Sequence, residues 1–174
     1  MAFYGDPDEL DRIAVDIGNR AEEVRTRSSE MDDQAQVMRW QSIAADRCRD
    51  LVHDDRRALD GVSERMDEAA ALLRGHAQQV REMIALIKNI MESVTSWFRS
   101  AVDTFNRAVE GFKDAVKDIA DGVGDMLGVG GGDAPKPPQP PWQGWPWGPD
   151  NLPPEGDKAW LEVGDFMRQQ GVAA

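Results

Sequence analysis

The sequence predicts an all-α protein: an antiparallel helical hairpin, extended by a further long amphipathic helical segment and closed by a Pro/Gly/Trp-rich tail. Three observations lead there. A seven-residue apolar repeat begins at Leu10, a second apolar periodicity begins just after Trp40-Gln41-Ser42, and nine of the ten prolines fall between 135 and 154. Residues seven apart fall on one narrow helical stripe, the pattern by which two helices pair.

Asp6-Pro7 predicts the first helix start, with an aspartate as N-cap, proline at the first helical position and Asp8 and Glu9 in the acid-favouring first turn. From there Leu10, Ile17, Val24, Met31 and Met38 form one row, and Ala14, Ala21, Ser28 and Ala35 the next. The pattern breaks at Arg39-Trp40-Gln41-Ser42, where Ser42 is placed to cap a second helix. Apolar positions resume with Ile43, Cys48, Val52, Leu59, Val62, Met66, Leu73, Val80 and Ile87. So short a connection forces the two helices antiparallel, with Leu10, Ile17, Val24, Met31, Leu59, Val62 and Leu73 as the pairing seam.

The second periodicity continues through Ile90, Val94, Phe98, Val102, Phe105, Val109, Phe112, Val116, Ile119, Val123 and Met126. A helix over 42–127 would be about 130 Å long, against about 50 Å for the first, so roughly half of the second stripe is left without a partner. Trp97, Phe98, Val102, Phe105, Val109, Phe112, Val116 and Ile119 are therefore the candidate face for a fold-back helix, a second copy, a separate helical protein or lipid. The two four-residue steps Val94–Phe98–Val102 form a stutter at which a junction between bundled units is expected, with Gly75 as the alternative break point. Gly122, Gly124 and Gly128 end the helical signal, and the glycines and prolines that follow read as a semi-rigid linker in which little core forms, with Trp142, Trp145 and Trp147 as aromatic surface for a partner groove or the bundle itself in the alternative reading. Residues 157–170 predict a short helix with Trp160, Val163 and Met167 on one side. The organisation expected is thus a hairpin over 1–82, a helical extension over 83–127, a linker over 128–155 and a short helix within 156–174.

Composition narrows the function. Asp and Glu number 32 against 20 Lys and Arg, for a net charge of -12 to which every quarter of the chain contributes. Such a chain is repelled by phosphate backbones and anionic headgroups, which excludes nucleic acid as a partner and leaves only apolar contact with a membrane. On the face opposite the stripe over 98–126, Arg99, Arg107, Lys113 and Lys117 mix with Glu110, Asp114, Asp118 and Asp121, unlike the basic face of a membrane-surface helix. Met1 to Asp6 has no basic n-region leading into an apolar segment, so a chain that leaves the cell needs a route other than the general signal peptide. Cys48 is the only cysteine and lies nearly opposite His53 on the helix, so the two make no nucleophile–base pair. Two histidines suggest no zinc site, Asp32-Asp33 and Asp54-Asp55 lack the pattern of a calcium loop, and the glycines lack that of a phosphate loop. No cofactor and no reaction are expected.

The most specific signal is the turn: Trp40-Gln41-Ser42 between two heptad-patterned helices, followed by Ile43-Ala44-Ala45-Asp46-Arg47-Cys48. This resembles the WXG family of type VII (ESX-type) secretion substrates, helical hairpins with a Trp-x-Gly turn and often a following Ala-Ala-Asp-x-Phe-Arg stretch. Ser42 stands where the family has glycine, and Cys48-Arg49 where it has an aromatic and an arginine. Gly5-Asp6-Pro7-Asp8-Glu9-Leu10 looks like the start of secretion-signal domains in actinobacterial type VII effectors. The resemblance covers residues 5–80. It implies an exported, non-enzymatic protein that pairs with a small helical WXG-like partner and meets the type VII machinery, with Trp40, Gln41 and Ser42 as the turn motif. The family's Tyr-x-x-x-Asp/Glu export signal does not follow helix two. The one match in spacing, Tyr4 to Asp8, precedes helix one and contains Pro7. The resemblance permits a partner to supply the signal, as in the family's heterodimers. From the residues alone, Trp40 equally serves as a plug at the end of a two-helix core. Two alternatives stand beside secretion: a cytoplasmic scaffold that self-associates through 94–126, and a membrane-active, pore-forming secreted effector acting through 84–127.

Overall fold

In the computed structural model the chain forms three α-helices and, among the described residues, no strand: α1 Pro7–Val37, α2 Ile43–Val123 and α3 Ala159–Gln169. The structure describes the backbone of residues 5–123 and 136–172, and the side chains of 5–117 and 136–172. Tyr4, the glycines of 124–132, Met126 and the side chains of Ile119 and Val123 lie outside the described residues. Two compact units divide the chain, Met1–Ile84 and Ala85–Ala174.

The first unit is the all-α hairpin. α1 starts as its sequence dictates: the Asp6 carboxylate accepts the Asp8 N–H at 2.9 Å, Pro7 occupies the first turn, and Asp8 and Glu9 complement the positive end of the helix dipole. The line of closest approach is the row of small residues. Ala14, Ala21, Ser28 and Ala35 of α1 are buried, as are Ala45, Ser63, Ala70 and Ala77 of α2. Cross-helix pairs set the register, because Asp11 meets Arg81, Gly18 lies under Arg74 and Arg25 meets Asp67. That register brings Ala14 level with Ala77, Ala21 with Ala70 and Ser28 with Ser63. Small side chains let the backbones come close, and the two buried hydroxyls are satisfied within their own helices, Ser28 donating to the Arg25 carbonyl and Ser63 to that of Leu59, both at 3.0 Å.

The larger apolar row expected to form the seam lies to one side of it. Leu10, Ile17 and Val24, with Leu59 and Leu73 opposite, are half-buried, while Met31 is 52% exposed and Val62 is exposed too. The physical reason is size: the row with the smallest side chains occupies the centre, and its bulkier neighbours flank it.

The second unit is built on residues 85–123 of α2. Ile87, Ile90, Val94 and Phe98 are buried, and α3 contributes Trp160, Val163 and Met167 to the same core. The crossing is tight: a Cβ added at Gly164 would stand 3.0 Å from Ile90 Cγ2. α3 begins where the Asp157 carboxylate accepts the Ala159 N–H at 2.8 Å. It ends with Gly171 at φ +76° and the Val172 N–H returning to the Met167 carbonyl at 2.9 Å, a Schellman closure.

The segment leading to α3 is not a bare linker over its described part. Its prolines alternate with hydrogen-bonded turns, such as Gln143 N–H to the Pro140 carbonyl and Trp145 N–H to that of Trp142. Asn151 fastens it by receiving the Gly148 N–H and donating to the Pro146 carbonyl, and the Trp160 indole N–H donates to Pro154. Core forms here because the tryptophans lie against the helix. Trp145 stacks on Trp97 with ring centroids 5.4 Å apart, and Trp142 meets Phe98 and Phe105 edge-on at 6.0 Å each.

Candidate functional site

The connection between α1 and α2 is stitched from one side chain. α1 ends at Val37, Met38 turns to an extended conformation, and the last carbonyls of the helix need donors. Arg49, on the second turn of α2, supplies them. Its guanidinium donates to the carbonyls of Ala35 (3.3 Å), Met38 (2.9 Å) and Trp40 (2.6 Å), and pairs with Asp46 at 2.8 Å. A cation at this point also complements the negative end of α1. Opposite it, Ser42 caps α2: its Oγ accepts the Ala45 N–H at 3.1 Å and its carbonyl that of Asp46 at 3.1 Å. Among the described residues only glycines have positive φ, and none lies in this turn. Serine therefore fits position 42 without strain and adds a cap that glycine lacks.

Trp40 does not plug the hairpin end. It is 66% exposed, beside Val37 (76%) and Ile43 (84%). Gln41 and Ser42 are also exposed. The turn is thus an aromatic and aliphatic tip standing in water, held from behind by Arg49. Nothing in the heptad pattern marks Arg49 as a partner of the turn, although an arginine two helical turns beyond a capping serine faces back toward the carbonyl end of an antiparallel neighbour.

A row of charged pairs runs along one flank of the seam. Asp32, buried, receives Arg56 at 2.8 Å, with His53 Nδ1 at 3.6 Å. Arg56's hydrogen bond, opposed by burial and reinforced by Gln36 and His53, holds the Asp32 carboxyl below the usual range. Arg81 joins Asp8 at 2.8 Å and Asp11 at 2.6 Å, and its own pKa is raised by these bonds, that of Asp8 first. The signal for this flank was present in sequence as a second heptad, Asp11, Gly18, Arg25 and Asp32 against Asp67, Arg74 and Arg81. His53 and His76 are exposed, and Cys48 is half-buried and free. Among the described residues no group of three or more acidic, histidine or cysteine side chains is placed to hold a metal ion.

The face beginning at Trp97 divides into a covered and an uncovered part. Phe98 is buried, and Trp97 and Phe105 are half-buried under Trp145 and Trp142. Val102, Val109 and Phe112 are half-buried, and Val116 is 41% exposed. The start of this stripe is therefore occupied by the chain's own tail, a return path that proline content alone conceals. Among the described residues no helix is long and apolar enough to cross a membrane.

No family model, no curated protein and no solved structure matches the chain.

Proposed function

We propose that this protein is a type VII secretion substrate, or a helical protein associated with such secretion, that acts by pairing its hairpin with a small helical partner while the secretion machinery engages the turn. The observation that carries the reading is the tip: Trp40, Val37 and Ile43 are exposed together at the end of a hairpin whose turn Arg49 holds by three backbone carbonyls. Large apolar side chains exposed on an otherwise acidic molecule are costly unless they meet a partner, and a tryptophan is the side chain best suited to anchor one. The resemblance of Trp40-Gln41-Ser42 and Ala44-Ala45-Asp46 to the WXG pattern names the system. The protein would then be exported, to the medium or the envelope, without a cleaved signal peptide, its partner supplying the Tyr-x-x-x-Asp/Glu signal. It performs no reaction of its own in this reading.

The scaffold and pore-forming alternatives both draw on the stripe over 94–126, and part of that stripe is already covered by Trp142, Trp145 and α3. The test compares tagged protein in the culture filtrate of a native-type host carrying an intact or a deleted type VII export ATPase, with a cytosolic marker to control for lysis. Loss from the filtrate on deletion is the expected result. Retention in cells of both strains, with the system demonstrably active, would overturn the reading.

A further inference from the structure

The two flanks of the hairpin seam differ in kind. One carries the ion pairs of Asp11, Arg25 and Asp32 with α2. The other is apolar: Ile17, Val24 and Met31 of α1 lie level with Leu73, Met66 and Leu59 of α2, in the register fixed by the opposite flank. All but Met31 are half-buried, and Met31 is exposed. Two parallel apolar rows over a close-packed floor of alanines and serines make a shallow groove, the shape that receives the ridge of another amphipathic helix.

The rim of this groove has a sign. Arg20 and Arg27, seven residues apart, stand on α1 one helical step outside Ile17 and Val24, both exposed. Neither makes an ion pair or side-chain hydrogen bond among the described residues, as is also true of Arg39, Arg47, Arg65, Arg74 and Arg99, whereas Arg12, Arg25, Arg49, Arg56 and Arg81 are paired. Asp16, Glu23 and Glu30 lie a further step round the helix, so a helix seated in the groove meets the guanidinium row first. The opposite rim, from Val62 through Ala69 to His76, carries no acid.

Deepening the proposed function, and resting on it, we infer that this groove takes one amphipathic helix of a partner protein, whose apolar heptad fills the groove and whose carboxylates, spaced by seven, pair with Arg20 and Arg27. Charge complementarity selects this occupant: in a chain of net charge -12, an unpaired basic row beside an apolar groove favours an acidic edge on the incoming helix. The seven-residue spacing of the arginines matches the edge positions of a heptad helix.

The test uses the full chain and two synthetic four-heptad amphipathic peptides, identical except for glutamate or lysine along one edge, with binding read by fluorescence anisotropy at low and raised salt. The glutamate peptide is expected to bind about tenfold or more tightly than its lysine twin, with the margin narrowing in raised salt. The double variant R20E/R27E, both positions being on the exposed rim, is expected to keep its helical content and reverse the preference. Equal affinities, an unreversed preference, or no binding of either peptide by the folded chain would overturn the assignment. A chain that is already a dimer, and that Ile17→Lys turns into a folded monomer, would overturn it in favour of a second copy. ATPase-dependent export without charge preference would remove the occupant and leave the secretion reading standing. Reversal of preference without export would do the opposite.

Discussion

Arg49 replaces three hydrogen bonds that water would otherwise make to the end of α1 and the turn, and its side chain is only 21% exposed. Arg49→Met keeps much of the packing and removes the donors, so unfolding in urea should show a loss of about 2 kcal/mol, within the usual range for hydrogen bonds to a charged group. An unchanged midpoint would mean the turn is held by something else. Asp32 behaves differently because its contribution depends on pH. Its carboxyl is lowered in the folded protein, so the stabilisation is fully present above the ordinary aspartate value near 4 and is lost as pH falls below that through the lowered folded value. Asp32→Asn should therefore lower Tm at neutral pH, and the gap to the unaltered protein should close in acid. A gap that stays constant down to pH about 3 would contradict this account. Neither residue's role follows from its type alone: each depends on which carbonyl or cation the antiparallel register places opposite it.

At the scale of elements, the sequence states where helices start better than how they meet. Asp6-Pro7 and Ser42 are local signals, read without knowing the fold, and α1 and α2 begin beside them. Choosing between the row led by Leu10 and the row led by Ala14 needs the other helix. Hydrophobicity favours the first, but close approach favours the second, and the buried row is Ala14, Ala21, Ser28 and Ala35. Ala21→Leu tests this. Placed level with Ala70, the larger side chain should destabilise the hairpin by about 1–3 kcal/mol in thermal unfolding, whereas a gain would return the seam to the bulkier row. The packing of the tail was legible only in outline, for a related reason. Proline and glycine report local backbone stiffness, while the packing of Trp142 and Trp145 depends on Trp97, Phe98 and Phe105 far back in the chain. Gly164→Leu should push α3 off Ile90, costing about 1–3 kcal/mol and shifting tryptophan emission to the red, since the strained contact is with a β-branched side chain. Emission and stability matching the unaltered protein would show that α3 does not cross so closely.

At the scale of the molecule, two units share one sequence logic. In Met1–Ile84, small residues close a hairpin and leave its turn and one apolar flank open. In Ala85–Ala174, aromatic residues of the tail cover a helix stripe that would otherwise be exposed. The excess of acid over base leaves the chain with a net charge of -12. The first unit exposes Val37, Trp40 and Ile43 at the turn, as it does Leu51 and Leu72 along α2, and the proposed role in secretion rests on the turn. Trp40→Ala separates its role from folding. Because the indole stands mostly in water, the substitution should change stability by no more than about 0.5 kcal/mol. The decisive measurement is export of this variant beside the unaltered protein from a host with an active type VII system, each checked for equal cellular level and equal Tm. The account predicts a folded protein whose export falls by about tenfold or more, the equivalent of about 1.4 kcal/mol in recognition. Export of Trp40→Ala at the unaltered level would contradict it.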